Sequence, residues 1–339
     1  MFIELKKKLT QSFSKGLAVV LLGGQIIAVI LALTGFISTN LAERSFAFPV
    51  LQSAGFYFIL SFSLVSWPFP TSIPAHLYIL LALLDVEANY LAVKAYQFTD
   101  MTSVLLLNSL TIPWIVVLSF LVLKRRYKIL ELVALFICLC GLGLVIASDT
   151  IRDRWGSEFD GKSPWIGDLL CVGSSFLYAC QNVLQEYMLK RLKPTHGGSN
   201  AEYMGMLGAF GFIISTIQWL ALEQSSLLEA GAEIWTIEVI GLLVGFWFTM
   251  VVFYIILAWY IGKFDASLFN MNILTGGIYG ILLEFAQNKS PVRLSSDWMY
   301  VTAYLLIIIG VVLYSKLERD KTSAPTAKLE SHEDSAQAN

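Results

Sequence analysis

Ten apolar runs, each about as long as a bilayer core is thick, constrain this chain more than any other feature. They lie near residues 16–37, 47–66, 74–96, 100–123, 128–147, 165–188, 202–222, 234–260, 264–287 and 296–316. A membrane helix needs about 20 apolar residues, and one soluble core cannot absorb ten such runs. Composition agrees: 56 % of the 339 residues are apolar and 14 % are Asp, Glu, Lys or Arg, against about 25 % charged in an ordinary soluble domain. This argues against a cytosolic enzyme, a nucleic-acid binder and a disordered scaffold. The formal net charge of −2 gives no basis for a nucleic-acid partner. The lipid bilayer is the partner the composition demands.

The breaks between runs have their own chemistry. Trp67-Pro68-Phe69-Pro70 cannot continue a helix, and Lys193-Pro194-Thr195-His196-Gly197-Gly198 is rich in turn residues. Residues 149–164 and 223–233 read as longer polar loops, and the polar tail 318–339 reads as disordered. The first run follows Lys6, Lys7, Lys8 and Lys15 and is too long for a signal-peptide core, so it reads as a retained span. The expected organisation is a cytosolic segment 1–15, five helices over 16–147, an extracytosolic linker 148–164, five more over 165–317 and a cytosolic tail 318–339.

Placing the N-terminus in the cytosol puts 16 of the 23 Lys and Arg residues on that side and 7 on the other. That bias matches the positive-inside rule, and ten spans with both termini cytosolic is the solution that keeps it. The membrane itself is left open between Golgi or ER and the plasma membrane. Asn288-Lys289-Ser290 forms a glycosylation sequon on the outer side, expected to be unmodified because its loop is short and Pro291 follows.

Sliding the sequence against itself by 164 residues aligns Tyr90 with Tyr254, Tyr96 with Tyr260, Ser103 with Ser267, Asn108 with Asn272, and Leu110-Thr111 with Leu274-Thr275. Units of five spans insert in opposite senses. Such inverted repeats are a transporter architecture, with the site between the units near the midplane.

The costly residues point to the same place. Asp85 and Glu87 fall about 17–20 Å into the third span at 1.5 Å per residue from Pro74. A carboxylate there must face protein or water. Asp85, Asn89 and Tyr96 share one helical face, and Glu87, Tyr90 and Lys94 share the opposite one. One carboxylate is expected to bind solute or a proton; the plainer reading makes both structural. Asn108 and Asn272 occupy repeat-related positions, and Asn272, Thr275 and Tyr279 form one stripe. They could bond a ligand from both units or simply join helices. Gln25 sits near the middle of the first span. On the sixth, Asn182 and Glu186 share a face, as do Gln181 and Gln185; Glu186 reads as snorkelling to the nearby surface. The candidate solute-binding set is Asp85, Glu87, Asn89, Tyr90, Asn108, Asn272, Thr275, Gln25 and Asn182.

Other features read as structural. Thr99-Asp100 and Asp265 resemble helix N-caps. Gly241-x-x-x-Gly245 and Gly276-x-x-x-Gly280 read as close helix contacts. Cys138, Cys140, Cys171 and Cys180 lie inside apolar runs and read as buried small hydrophobes. The three histidines, His76, His196 and His332, are scattered, so no metal, haem or other cofactor is expected and enzyme chemistry is poorly supplied.

The run Asp85-Val86-Glu87-Ala88-Asn89-Tyr90-Leu91-Ala92-Val93-Lys94-Ala95-Tyr96-Gln97-Phe98-Thr99 resembles the F-type branch of solute carrier family 35, in the drug/metabolite transporter superfamily. Further matches are Gly24-Gln25, Leu41-Ala42-Glu43-Arg44, Pro49-Val50-Leu51-Gln52-Ser53, Gly167-Asp168-Leu169-Leu170, Tyr178-Ala179, Glu186-Tyr187 and Gly205-Met206. The resemblance implies an all-α membrane protein of ten transmembrane helices, two inverted five-helix repeats working by alternating access. Many relatives in other branches exchange nucleotide sugars for nucleoside monophosphates in the Golgi or ER. They carry a Gly-Ala-Leu-Asn-Lys-like stretch in span nine, where this chain has Asn270-Met271-Asn272-Ile273-Leu274-Thr275-Gly276-Gly277 and no lysine. A pyrophosphate calls for Lys or Arg, so the departure favours a neutral or cationic solute, while the family pulls toward nucleotide sugars.

The expected function is therefore a secondary carrier or exchanger of a small organic solute, coupled to a proton or a counter-substrate, with a second copy of the chain as a candidate partner. The alternative is a scaffold or regulator built on a transporter fold, which would have a packed interior without a cavity.

Overall fold

The computed structural model describes residues 2–66, 73–98, 104, 107–153, 164–192, 199–286, 298–299 and 301–317, all helix or short connection. Outside these lie the 67–70 break, Thr99-Asp100, Ser103, the 193–198 turn, the Asn288 sequon, the tail 318–339 and residues 154–163 of the linker. The helices are α1 (Phe2–Glu43), α2 (Pro49–Ser61), α3 (Ala75–Ala95), α4 (Thr111–Val122), α5 (Ile129–Asp153), α6 (Pro164–Arg191), α7 (Ser199–Leu222), the short α8 (Gln224–Ala230), α9 (Ile237–Lys263), α10 (Ala266–Ile273), α11 (Gly276–Ala286) and α12 (Val301–Leu317).

Among the described residues, four helices are by themselves long and apolar enough to cross a bilayer: Ala18–Glu43, Ala75–Ala95, Asn200–Leu222 and Ile237–Lys263. Several others are shorter apolar pieces, so ten full spans do not emerge from length and apolarity alone. The 28-residue α6 carries Gln181, Asn182, Gln185, Glu186 and Lys190 and is not among the four.

Helix boundaries depart from the sequence expectation in places. Residues 2–15 are helical and continue into the first apolar run as α1, because Leu- and Lys-rich sequence propagates a helix already nucleated by the apolar span. Helix α5 runs to Asp153, into the expected linker, and the 223–233 loop contains α8. The ninth run divides into α10 and α11.

Helix α2 lies along α7, α3 along α6, and α1 along α9. Helix α3 also meets α7, as α2 meets α9, while α4 packs on α6 and α11 on α1. Glycines make the closest approaches; of the two four-residue pairs, Gly276 approaches α1, where a Cβ would stand 3.4 Å from Ala28 O, but the Gly241 pair does not make a close contact. A Cβ on Gly241 would meet nothing within 4 Å, and one on Gly245 would only reach Ile37 at 4.0 Å. The close contact runs instead along Gly205, Gly208 and Gly211 of α7, where a Cβ on Gly205 would stand 2.8 Å from the Leu64 nitrogen. Gly141 of α5 and Gly310 of α12 face each other's helices in the same way, with Cβ atoms that would fall 2.7 Å from Ala303 O and 2.8 Å from Ala134 O. The four cysteines are free; Cys138 and Cys171 are buried as expected, whereas Cys140 is exposed on the outer face of α5.

The helix ends are built from side chains of distant segments. Glu223 accepts from the N–H groups of Val50 (2.8 Å) and Leu51 (3.0 Å), capping α2 from another element. Arg44 pairs with Glu238 at 3.0 Å beside it. The largest fully buried side chains are tyrosines: Tyr57, Tyr78, Tyr203, Tyr254, Tyr260 and Tyr314. Each brings a hydroxyl that needs a partner; the buried Tyr57 and Tyr254 and the half-buried Tyr178 converge on α3.

Candidate functional site

Helix α3 is nearly surrounded, by α6, α7 and α2, which is why it can hold two acids. Its two faces separate as helical spacing implies. Asp85, 1 % exposed, points to the bundle interior. Its Oδ2 accepts from Tyr57 Oη of α2 at 2.7 Å and from Tyr254 Oη of α9 at 2.6 Å. Asn89, one turn on, donates from Nδ2 toward Asp85 O (2.9 Å), Tyr57 Oη (3.0 Å) and Tyr254 Oη (3.1 Å). Its Oδ1 accepts from Tyr178 Oη of α6 at 3.0 Å. Among the described residues no Lys or Arg forms an ion pair with Asp85. Phenolic donors therefore do the work that a base would do elsewhere, holding one carboxylate oxygen and leaving the charge uncancelled.

This network forms one wall of a partly open cavity. Asp85, Asn89 and Tyr96 of α3 line it, with Thr34 and Ser38 of α1, Asn108 and Thr111 beside and in α4, and Tyr178, Gln181 and Asn182 of α6. Phe246, Phe253 and Tyr254 of α9 and Phe269 and Asn270 of α10 supply aromatic and amide surface. Among the described residues that line it, none is Lys, Arg or His.

Four of the nine residues singled out by sequence thus share the cavity: Asp85, Asn89, Asn108 and Asn182. The other five lie outside its lining. Glu87 faces α7 and accepts from Gln218 at 3.3 Å. Tyr90 receives a hydrogen bond from Lys94 at 2.7 Å. Gln25 Oε1 accepts from Thr275 (3.0 Å) and Tyr279 (2.9 Å), and Asn272 donates to Tyr260 Oη (3.2 Å) and Leu268 O (2.8 Å) while packing against Gly24. Sequence reasoning missed Tyr57 as a partner of Asp85 and the donor roles of Tyr254 and Tyr178. The one available signal was the repeat, which had already paired Tyr254 with Tyr90.

Both helices that carry the paired asparagines are interrupted there. Thr275 donates through Oγ1 to Asn272 O at 2.7 Å and its N–H makes a tight 3.1 Å bond to the same carbonyl, where α10 gives way to α11. Thr111 Oγ1 donates to Asn108 O at 2.5 Å, and Ile112 N–H closes on Ser109 O at 3.0 Å. Pro113 has no N–H to give to Ser109, so the ladder tightens into a three-residue turn. Asn108 also accepts from Ser174 of α6 at 2.7 Å.

Glu186 does not snorkel. It is buried, and its Oε2 accepts from the Ala266 N–H at the start of α10 at 2.9 Å. Asp265 is the N-cap its sequence context suggests, accepting from Leu268 N–H at 2.6 Å. No cluster of His, Cys, Asp and Glu that could hold a metal occurs among the described residues.

The profile of the SLC35F family, solute carrier family 35, matches residues 13–316. The mouse solute carrier family 35 member F2 is 35 % identical over 258 residues, 76 % of this chain and 63 % of the mouse protein. The Xenopus tropicalis member F2 is 33 % identical over 239 residues, 70 % of this chain and 58 % of that protein. An uncharacterized solute carrier family 35 member of Schizosaccharomyces pombe is 31 % identical over 237 residues, 70 % of this chain and 44 % of that protein. The chain thus spans about three fifths of the mouse and frog relatives it matches. A crystal structure at 13 % sequence identity superposes with a TM-score of 0.60, covering 89 % of this chain and 98 % of its own, a likeness of fold. Profile and relatives agree: this apolar, multi-pass helical chain belongs to solute carrier family 35, in its F-type branch.

Proposed function

We propose that the chain is an alternating-access carrier of a small organic solute, neutral or cationic, bound in the cavity that Asp85 lines. The observation that carries the reading is a buried carboxylate held by phenolic donors in a cavity whose lining includes no base. An anionic solute would meet an uncancelled negative charge there; a cation would complete it, and the aromatic walls suit an organic body. Asn89, Asn108 and Asn182 would bond the solute's polar groups, with Asn108 bridging to α6. Asn272, Thr275 and Gln25 would steady the helix interruption behind them, and Glu87 and Tyr90 would belong to the α7 side of α3.

Two inverted five-helix repeats are supported by the way contacts double. Under the 164-residue relation α3 corresponds to α9, α4 to α11 and α5 to α12, with α1 and α2 answering to α6 and α7. The packing of α3 on α6 then mirrors that of α9 on α1, and α4 on α6 mirrors α11 on α1. The paired interruptions at Asn108–Thr111 and Asn272–Thr275 fall in corresponding places, and broken helices at a midplane are where carriers bind. The Lys and Arg distribution supports cytosolic termini. A proton or a counter-substrate would occupy Asp85 on the return half of the cycle.

The test is uptake into proteoliposomes of three probes: a quaternary ammonium compound, a neutral nucleoside and a nucleotide sugar. The first or second should accumulate and Asp85→Asn should cut it about 30- to 100-fold. Accumulation of the nucleotide sugar alone, or uptake untouched by Asp85→Asn, would overturn the reading.

A further inference from the structure

One charged cluster outside the cavity joins distant parts of the chain. At the end of α4 Lys124 takes a left-handed backbone, φ 52°, and the Arg125 N–H closes back on Ser119 O at 3.2 Å. The turn brings the Arg125 side chain inward, 14 % exposed, to Asp265 Oδ2 at 2.6 Å and Glu186 Oε1 at 4.0 Å. Its Nη2 also donates to Tyr314 Oη of α12 at 3.2 Å. Lys190 pairs with Glu186 at 2.5 Å, so two bases face two acids. Both acids are bonded to α10 as well, Glu186 to the Ala266 N–H and Asp265 to the Leu268 N–H. Tyr127 and Ser267 hydroxyls, 2.9 Å apart, tie the same turn to the same helix.

The cluster lies directly beneath the cavity. Along α6, Glu186 is four residues past Asn182; along α10, Asp265 is four residues before Phe269; Asn182 and Phe269 both line the cavity. Four residues of helix are one turn, about 6 Å. The start of α10, one turn from the cavity-lining Phe269, is fastened to the α4–α5 turn through Arg125.

We infer that Arg125 is the latch of this carrier: a positioning residue that holds α10 closed under the cavity and whose release opens the path to the face carrying the α4–α5 turn. The inference rests on the carrier reading above. The cluster suits a two-position device because separation of its halves leaves charges that only water can satisfy, so intermediate positions are unfavourable.

The test uses the full chain in vesicles, with Cys138, Cys140, Cys171 and Cys180 replaced by alanine and Asn270→Cys added. A charged, membrane-impermeant thiosulfonate is applied from the Arg125 face. Arg125→Gln should raise the labelling rate from that face at least about tenfold, a 1.4 kcal/mol shift in the population of the open state. Arg125→Lys keeps a base facing Asp265 and Glu186 and should stay near the parent rate, which separates loss of the charge from disturbance of the turn. Asp265→Asn keeps the α10 cap and loses the charge, so it carries the same prediction should Arg125→Gln fail to fold. An unchanged labelling rate in whichever of Arg125→Gln and Asp265→Asn elutes as folded protein overturns the latch. Faster labelling without uptake of any of the three probes would sink the carrier reading and leave the latch standing; uptake without any change in labelling would do the reverse.

Discussion

Asp85 and Asp265 are equally buried, at 1 % and 0 % exposure, yet one is surrounded by phenols and the other by an arginine. Asp85 keeps its charge uncancelled on a cavity wall. Asp265 spends its charge on Arg125 and on the first turn of α10. Burial alone therefore does not distinguish the carboxylate proposed to bind from the one proposed to close; their partners do. A base within ion-pair distance turns a buried acid into a fastening, and hydroxyl donors leave it open to a cationic guest.

Four substitutions break or sharpen that contrast, in decreasing order of effect. Arg125→Gln removes the base that pairs with buried Asp265, while Glu186 keeps Lys190, and should lower stability by about 3–5 kcal/mol, the usual consequence of breaking a buried pair on one side; thermal unfolding in detergent reads it. Asp85→Asn keeps the shape and loses the charge. It should reduce solute uptake by about 2–3 kcal/mol of binding, or 30- to 100-fold, while leaving the unfolding temperature close to that of the parent. Tyr254→Phe removes one of two donors to Asp85 Oδ2, and a hydrogen bond to a charged group is worth about 1.5–3 kcal/mol. It should weaken solute affinity less than Asp85→Asn does. Glu87→Gln, on the half-exposed face toward Gln218, should change stability by no more than about 0.5 kcal/mol and leave uptake intact. A loss of uptake in Glu87→Gln equal to that in Asp85→Asn would erase the distinction between the two faces of α3.

Much of this was legible in the residues, for physical reasons. A carboxylate deep in an apolar run is costly wherever the helix ends up, so Asp85 could be picked out without knowing its neighbours, and the helical period put Asn89 and Tyr96 on its face. Partners are another matter. Tyr57 and Tyr254 are two of 14 tyrosines, and only the packing of α2 and α9 against α3 makes them donors to Asp85. Gln25, Asn272 and Thr275 were visible as polar groups among apolar ones, but their bonds go to each other and to the interrupted helix rather than to the cavity. Glu186 looked free to reach the surface because the arrival of α10 at its side chain depends on a turn 80 residues away in the chain. The glycine spacing on α9 and α7 is similar in kind, and nothing in the spacing says which stripe will meet a helix.

The central claim is that Asp85 is the charge that selects the solute. The most direct measurement is a ligand screen by thermal unfolding of the purified chain and of Asp85→Asn, since a ligand that binds the native state raises its unfolding temperature by mass action. The account predicts that a quaternary ammonium compound or a neutral nucleoside raises the unfolding temperature of the parent and not of Asp85→Asn, and that nucleotide sugars raise neither. A nucleotide sugar that stabilises both proteins equally would contradict it.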